Sequence, residues 1–278
     1  MLTRASEVLE RCDAALGRAV PEAAPLVAFD ADHTIWHADI GDLGWHAVVE
    51  GRRMRPEAGP GIAAELALAG ARSTGEVHQD ARLLYELYKQ DKVSELSIVR
   101  AMTVCYAGWT RDELREFARE LARREVSRAI YDGIQEIARG LKERGLRVVV
   151  VSGSPTALVA EGVRGIMPVD PERDVFGTDL EDQDGRLGVR LPEPVTFFEG
   201  KVEALRLLVP GRRPSFAFGD SKGDVPLLHH AARAAFAVNP RPLLRKLALE
   251  KENFFVLDPP KTIGGVSVKA PGTDRVIE

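Results

Sequence analysis

Leu26-Val27-Ala28-Phe29-Asp30-Ala31-Asp32-His33-Thr34 is the stretch on which the fold reading turns. Its first four residues form an apolar run too short for a helix and suited to a buried strand. The run ends abruptly in two carboxylates one residue apart. Upstream, Leu2, Val8, Leu9, Ala14, Leu16 and Val20 are spaced among charges as in an amphipathic helix over 2–19, which Pro21 and Pro25 end. Downstream, residues 42–126 carry helical patterns near 42–55, 62–70, 76–90, 92–106 and 111–125, with almost no strand signal. Thr110 and Glu113 have capping-box spacing at the start of the last of these.

From residue 130 the pattern alternates. A helix over 131–144 stops at Gly145. Leu146 to Val151, with four consecutive valines, reads as a buried parallel strand. Pro155 opens the next helix at its favoured first position. Residues 174–191 read as a hairpin turning at Asp184-Gly185. Strands at 215–218, 234–238 and 253–257 then alternate with helices at 200–208, 224–232 and 241–251. This order predicts an α/β fold: a Rossmann-like, doubly wound parallel sheet interrupted by an inserted all-helical unit. The expected division is an α/β core at 1–40 and 127–278 and a helical unit at 41–126. The Gly- and Pro-rich stretch 259–278 receives no assignment.

Composition narrows the function classes. The chain has 278 residues and a formal net charge of −4, with 45% hydrophobic and 29% charged residues. These are globular values, and a mildly acidic balance gives no electrostatic basis for nucleic acid binding. No window approaches a membrane span, and the N-terminus lacks the continuous apolar stretch of a secretory signal. Cys12 and Cys105 define neither a disulfide framework nor a metal motif, so a soluble, cytoplasmic protein is expected.

In parallel sheets the site lies at the carboxyl ends of the strands. The first strand ends in Asp30 and Asp32, the second in Ser152-Gly153-Ser154, and a later one in Gly219-Asp220-Ser221-Lys222-Gly223-Asp224. One helix begins Glu199-Gly200-Lys201. Clustered carboxylates repel one another and need a cation. An all-oxygen donor set favours a hard ion, and Mg2+ fits best. Ser152, the main chain at Gly153 and Lys201 suit phosphate oxygens. A carboxylate can attack phosphorus, and the residue two positions on can supply and recover a proton.

These motifs resemble the haloacid dehalogenase superfamily of phosphatases, in the branch that includes phosphoserine phosphatase. Asp30, Asp32 and Thr34 match its DxDxT motif, Val148 to Ser152 its apolar strand ending in a hydroxyl, Lys201 its lysine, and Asp220 and Asp224 its GDxxxD motif. A helical insert between the first two motifs is that branch's cap. The resemblance implies Asp30 as nucleophile, Asp32 as general acid and base, and Thr34 orienting the nucleophile loop. It also implies Mg2+ held by Asp30, the Asp32 main-chain carbonyl and Asp220, with Asp224 either behind these ligands or reaching the metal through water. Ser152, Gly153 and Lys201 would hold the phosphoryl group.

Selectivity points to Trp36 and Asp39, where the chain leaves for the insert. Asp39 stands where phosphoserine phosphatases carry a Glu that contacts the substrate amine, with the same charge and shorter reach. Trp36 suits either stacking on a substrate cation or packing at the hinge. The expected partner is a small phosphate ester, amine-bearing such as phosphoserine, phosphocholine or phosphoethanolamine. A phosphotransferase or mutase, or a non-catalytic regulatory protein on the same fold, remains an alternative. The sequence does not address oligomeric state.

Overall fold

A computed structural model describes residues 2–258; the stretch 259–278 lies outside them. In chain order the elements are α1 (Ala5–Leu16), β1 (Ala23–Phe29), α2 (Ile40–Glu50), α3 (Gly59–Leu68), α4 (Val77–Lys89), α5 (Glu95–Val104) and α6 (Arg111–Leu121). A π-helical turn at Ala122–Val126 then leads to α7 (Asp132–Glu143), β2 (Arg147–Pro155), α8 (Thr156–Val163) and β3 (Val175–Thr178). The rest comprises β4 (Asp182–Gln183), β5 (Arg186–Leu187), α9 (Glu199–Leu208), β6 (Arg213–Gly219), α10 (Val225–His230), β7 (Ala234–Val238), α11 (Pro242–Leu249) and β8 (Phe254–Leu257).

Six strands form one sheet in the order β3-β2-β1-β6-β7-β8, and every pairing is parallel. Helices cover both faces, so consecutive strand residues are buried on opposite sides. Val27, Phe29, Val148 and Val150 join the core beneath α1, α7 and α8, whereas Leu26, Ala28, Val149 and Val151 join that beneath α9, α10 and α11. The helices α2–α6 are inserted between β1 and β2, as the unbroken helical pattern implied.

Two details differ from the expectation. Residues 175–178 are not a hairpin arm; they form β3, a parallel edge strand beside β2. The hairpin is confined to β4 and β5, around Asp184 (φ 51°) and Gly185 (φ 77°), both left-handed as a type I′ turn requires. Pro155 ends β2 and precedes α8 rather than occupying its first turn. The Thr110–Glu113 capping box is formed reciprocally, at 3.2 and 2.7 Å. Among the described residues no helix is long and apolar enough to cross a membrane.

Phenylalanines tie four strands together. Phe29, Phe218, Phe236 and Phe255 lie in register on β1, β6, β7 and β8. Their ring centroids are 4.3, 4.6 and 5.5 Å apart, in stacked geometry. This row underlies the strand ends that carry Asp30 and Asp220. Phe218 is fully buried between two of the rings, and aromatic pairs contribute beyond the area they bury. Phe218→Ala should therefore cost about 3–5 kcal/mol in denaturant unfolding. A loss below about 1 kcal/mol, the scale of a surface change, would contradict this packing.

Candidate active site

The carboxyl edge of the sheet gathers the residues singled out by sequence. Asp30 follows β1, Ser152 and Gly153 lie near the end of β2, Asp220 follows β6, and Lys201 sits in the first turn of α9. Lys201 arrives there through a tight loop. Phe198 takes a left-handed φ of 49°, and a Cβ at Gly200 would run into the Val195 carbonyl oxygen. Only glycine lets α9 start under that loop.

Lys201 Nζ lies 2.6 Å from Asp30 Oδ1 and 2.6 Å from Asp224 Oδ1. Thr34 Oγ1 donates to Asp30 Oδ2 at 2.9 Å, so both oxygens of Asp30 are held. Asp224 also closes its own loop: Oδ2 accepts from Asp220 N at 3.0 Å, Ser221 N at 3.1 Å and Ser221 Oγ at 3.2 Å. Asp30, Asp220 and Asp224 each offer an oxygen within 4.8 Å of the others, and all three are buried. This all-oxygen set fits a hard divalent cation.

Electrostatics carry the same message. Burial, then the charge of Asp224, pushes the Asp30 carboxyl up to about 7 despite Lys201. Burial, then Asp224 and Asp30, holds Asp220 well above the carboxylate range. Burial and the charge of Asp39 push Asp32 up to about 6. Burial also acts to raise Asp224, but Lys201 and the loop N–H donors outweigh it and keep it below its usual value. Burial disfavours the charged Lys201, yet Asp224 and Asp30 hold it above the ordinary lysine range. The cluster has more carboxylate than one lysine can balance.

Ser152 is buried, accepts from Ser154 N at 3.1 Å, and has its Oγ 3.4 Å from Asp32 Oδ2. Gly153 faces the Phe197 ring, which a Cβ there would meet at 3.3 Å. Asp39 caps α2, accepting from Asp42 N at 2.8 Å. Trp36 is not available to a substrate: it is fully buried, and its indole N–H donates to Asp32 Oδ1 at 2.8 Å. Of its two sequence-based roles, hinge packing is the one its position allows. Sequence reasoning missed Ser154, whose Oγ donates to Asp32 Oδ2 at 2.6 Å; the repeated hydroxyl of Ser152-Gly153-Ser154 was the available signal. It also missed Arg241, 3.8 Å from Asp220, which carries no local pattern.

The inserted helices reach over this edge. Lys222, beside Asp220, pairs with Glu95 at the start of α5 at 2.9 Å. On another side, Gly108 N donates to Leu187 O at 2.7 Å, and Leu187 N to Trp109 O at 2.8 Å, so β5 is bonded to the segment before α6.

A parallel α/β sheet with a buried acidic cluster at its carboxyl edge defines a class of enzyme whose chemistry is built on carboxylates. The haloacid dehalogenase-like hydrolase model matches residues 27–229, and the chain belongs to that family. Solved structures that share the fold include the following three. A Bordetella pertussis Tohama I protein of unknown function is 24% identical, with a TM-score of 0.62 over 84% of this chain and 97% of that one. A Salmonella enterica serovar Typhi hydrolase of the family is 17% identical, with a TM-score of 0.53 over 83% and 67%. A phosphoserine phosphohydrolase-like protein from Francisella tularensis is 17% identical, with a TM-score of 0.52 over 83% and 94%. No curated protein matches the sequence.

The raised carboxyls set a pH dependence. Folded Asp30 binds its proton more tightly than the unfolded chain does, so its contribution to stability is greatest below about pH 4 and is lost as pH rises through about 7. His33, His229 and His230, all depressed by burial, act with the opposite sign. Comparing the metal-free protein with Asp30→Asn cancels them. The melting temperature of wild type relative to the variant should fall between pH 5 and pH 8. A difference that stays flat or rises would contradict the unbalanced cluster.

Proposed function

We propose that this protein is a Mg2+-dependent phosphomonoesterase acting on a small phosphorylated metabolite through an aspartyl-phosphate on Asp30. The observation that carries the reading is the buried cluster itself: Asp30 pinned between Lys201 and Thr34, beside Asp220 and Asp224. Asp30, the Asp32 main-chain carbonyl and Asp220 would hold the metal. Asp224, whose oxygens already serve Lys201 and the 220–221 loop, would reach it through water. When bound, Mg2+ supplies charge neutralisation at the phosphoryl group.

The chain's own residues do the rest. Asp30 attacks phosphorus; the bond to the ester oxygen breaks as that oxygen takes a proton from Asp32. Water then attacks the phosphorus of the aspartyl-phosphate and gives a proton to Asp32. Inorganic phosphate leaves and the Asp30 carboxylate is restored. Ser152, the Gly153 main chain and Lys201 hold the phosphoryl oxygens. Residues 41–126 would act as a cap over the α/β core, whose described residues are 2–40 and 127–258, selecting the leaving group and excluding water.

An amine-bearing ester fits the cap side. Burial, with Asp42 nearby, raises Asp39. Burial, then Glu95 and Asp39, raises the Tyr88 phenol. Tyr85 donates to Asp42 at 2.6 Å. Carboxylates beside tyrosine rings suit an ammonium group. The buried free thiols of Cys12 and Cys105 suit a reducing cytoplasm.

Phosphate release from a panel of phosphomonoesters should require both Mg2+ and Asp30. EDTA or Asp30→Asn should reduce it by at least about a hundredfold. Release that survives either would overturn the mechanism, and transfer to an added alcohol in place of release would make the enzyme a transferase. Asp39→Ala should erase any preference for amine-bearing esters while sparing 4-nitrophenyl phosphate; an unchanged preference removes Asp39 from recognition.

A further inference from the structure

We infer that Trp36 and Ser154 are positioning residues that aim the carboxyl of Asp32; the inference rests on the reading of Asp32 as acid and base. Trp36 Nε1 and Ile40 N donate to Asp32 Oδ1, at 2.8 and 2.7 Å. Ser154 Oγ donates to Oδ2 at 2.6 Å. The donors come from three places: the segment leaving β1, the first peptide of α2, and the end of β2. A carboxylate turns about its last torsion in a broad well. Donors on both oxygens remove that freedom.

Trp36 is itself locked. It bridges to Ile130, with His37 N donating to Ala129 O at 2.9 Å and Tyr131 N to Ile35 O at 3.0 Å. Its ring fills the space above Gly162, where a Cβ would meet it at 2.9 Å. With the ring fully buried, the indole N–H is its one polar function, and Asp32 receives it.

The donors also assign the proton. Indole and peptide N–H groups only donate, whereas a hydroxyl donates or accepts. Oδ1 therefore stays an acceptor, and the proton given to the ester oxygen sits on Oδ2, where Ser154 bonds either state. Ser152 Oγ, 3.4 Å from Oδ2, lies on the same side.

The leaving group tests this. An alkyl ester departs only as its oxygen takes the proton from Asp32, whereas 4-nitrophenolate is a weak base and leaves without it. With Mg2+ present, Trp36→Phe and Ser154→Ala should each lower kcat/KM for ethanolamine phosphate, or for the fastest alkyl ester of the panel, about tenfold or more relative to 4-nitrophenyl phosphate. A merely structural role would slow both esters alike, and equal losses or none would overturn the inference. Asp32→Asn separates the two readings. If it leaves the alkyl-to-aryl ratio unchanged, Asp32 is not the acid. If it shifts the ratio and neither variant does, only the positioning role falls. Should Trp36→Phe fail to fold by circular dichroism, Ser154→Ala, which removes a single hydroxyl, decides the matter.

Discussion

Lys201 sits buried between Asp30 and Asp224, 2.6 Å from each, and much of the site's structure serves that contact. Burying an ion pair is costly unless its remaining hydrogen bonds are made. For the two carboxylates they are: Thr34 takes the second oxygen of Asp30, and the 220–221 loop takes that of Asp224. Glycines make the approach possible. A Cβ at Gly200 would strike Val195, and one at Gly219 would strike Asp224 itself. The phenylalanine row beneath gives the loops a rigid floor.

One lysine does not balance four aspartates. The surplus appears as raised carboxyls at Asp30, Asp32 and Asp220, and a divalent cation would offset it. Asp32 is arranged differently from the others. Among the described residues its carboxyl pairs with no cationic side chain, and it is surrounded by donors from the core and the insert. The proposed nucleophile and the proposed proton carrier are thus two residues apart in sequence and held by separate networks.

The sheet and the cluster were legible because their signals are local. An apolar run ending in Asp30, another ending in Ser152 and a third ending in Asp220 each announce a strand end, and the parallel fold brings such ends together. For Trp36 the sequence left stacking and hinge packing both open, since its burial depends on Gly162, far along the chain. Ser154 bonds Asp32 across 122 positions, a relation no local pattern encodes. Residues 174–191 misled for a similar reason: Asp184-Gly185 is a strong turn signal, but β3 finds its partner in β2 rather than across that turn. The bonds from Leu187 to Gly108 and Trp109, which tie the insert to the core, had no sequence signature at all.

The central claim is that Asp30, held by Lys201 and Thr34, becomes covalently phosphorylated. Mass spectrometry of peptides from acid-quenched enzyme tests it directly, using Asp32→Asn protein turning over 4-nitrophenyl phosphate with Mg2+, where loss of the base slows hydrolysis of the intermediate. The account predicts a phosphoryl group on the peptide carrying Asp30, at that residue and absent from an Asp30→Asn control. Phosphate attached at another residue, or turnover with no phosphorylated peptide at any quench time, would contradict it.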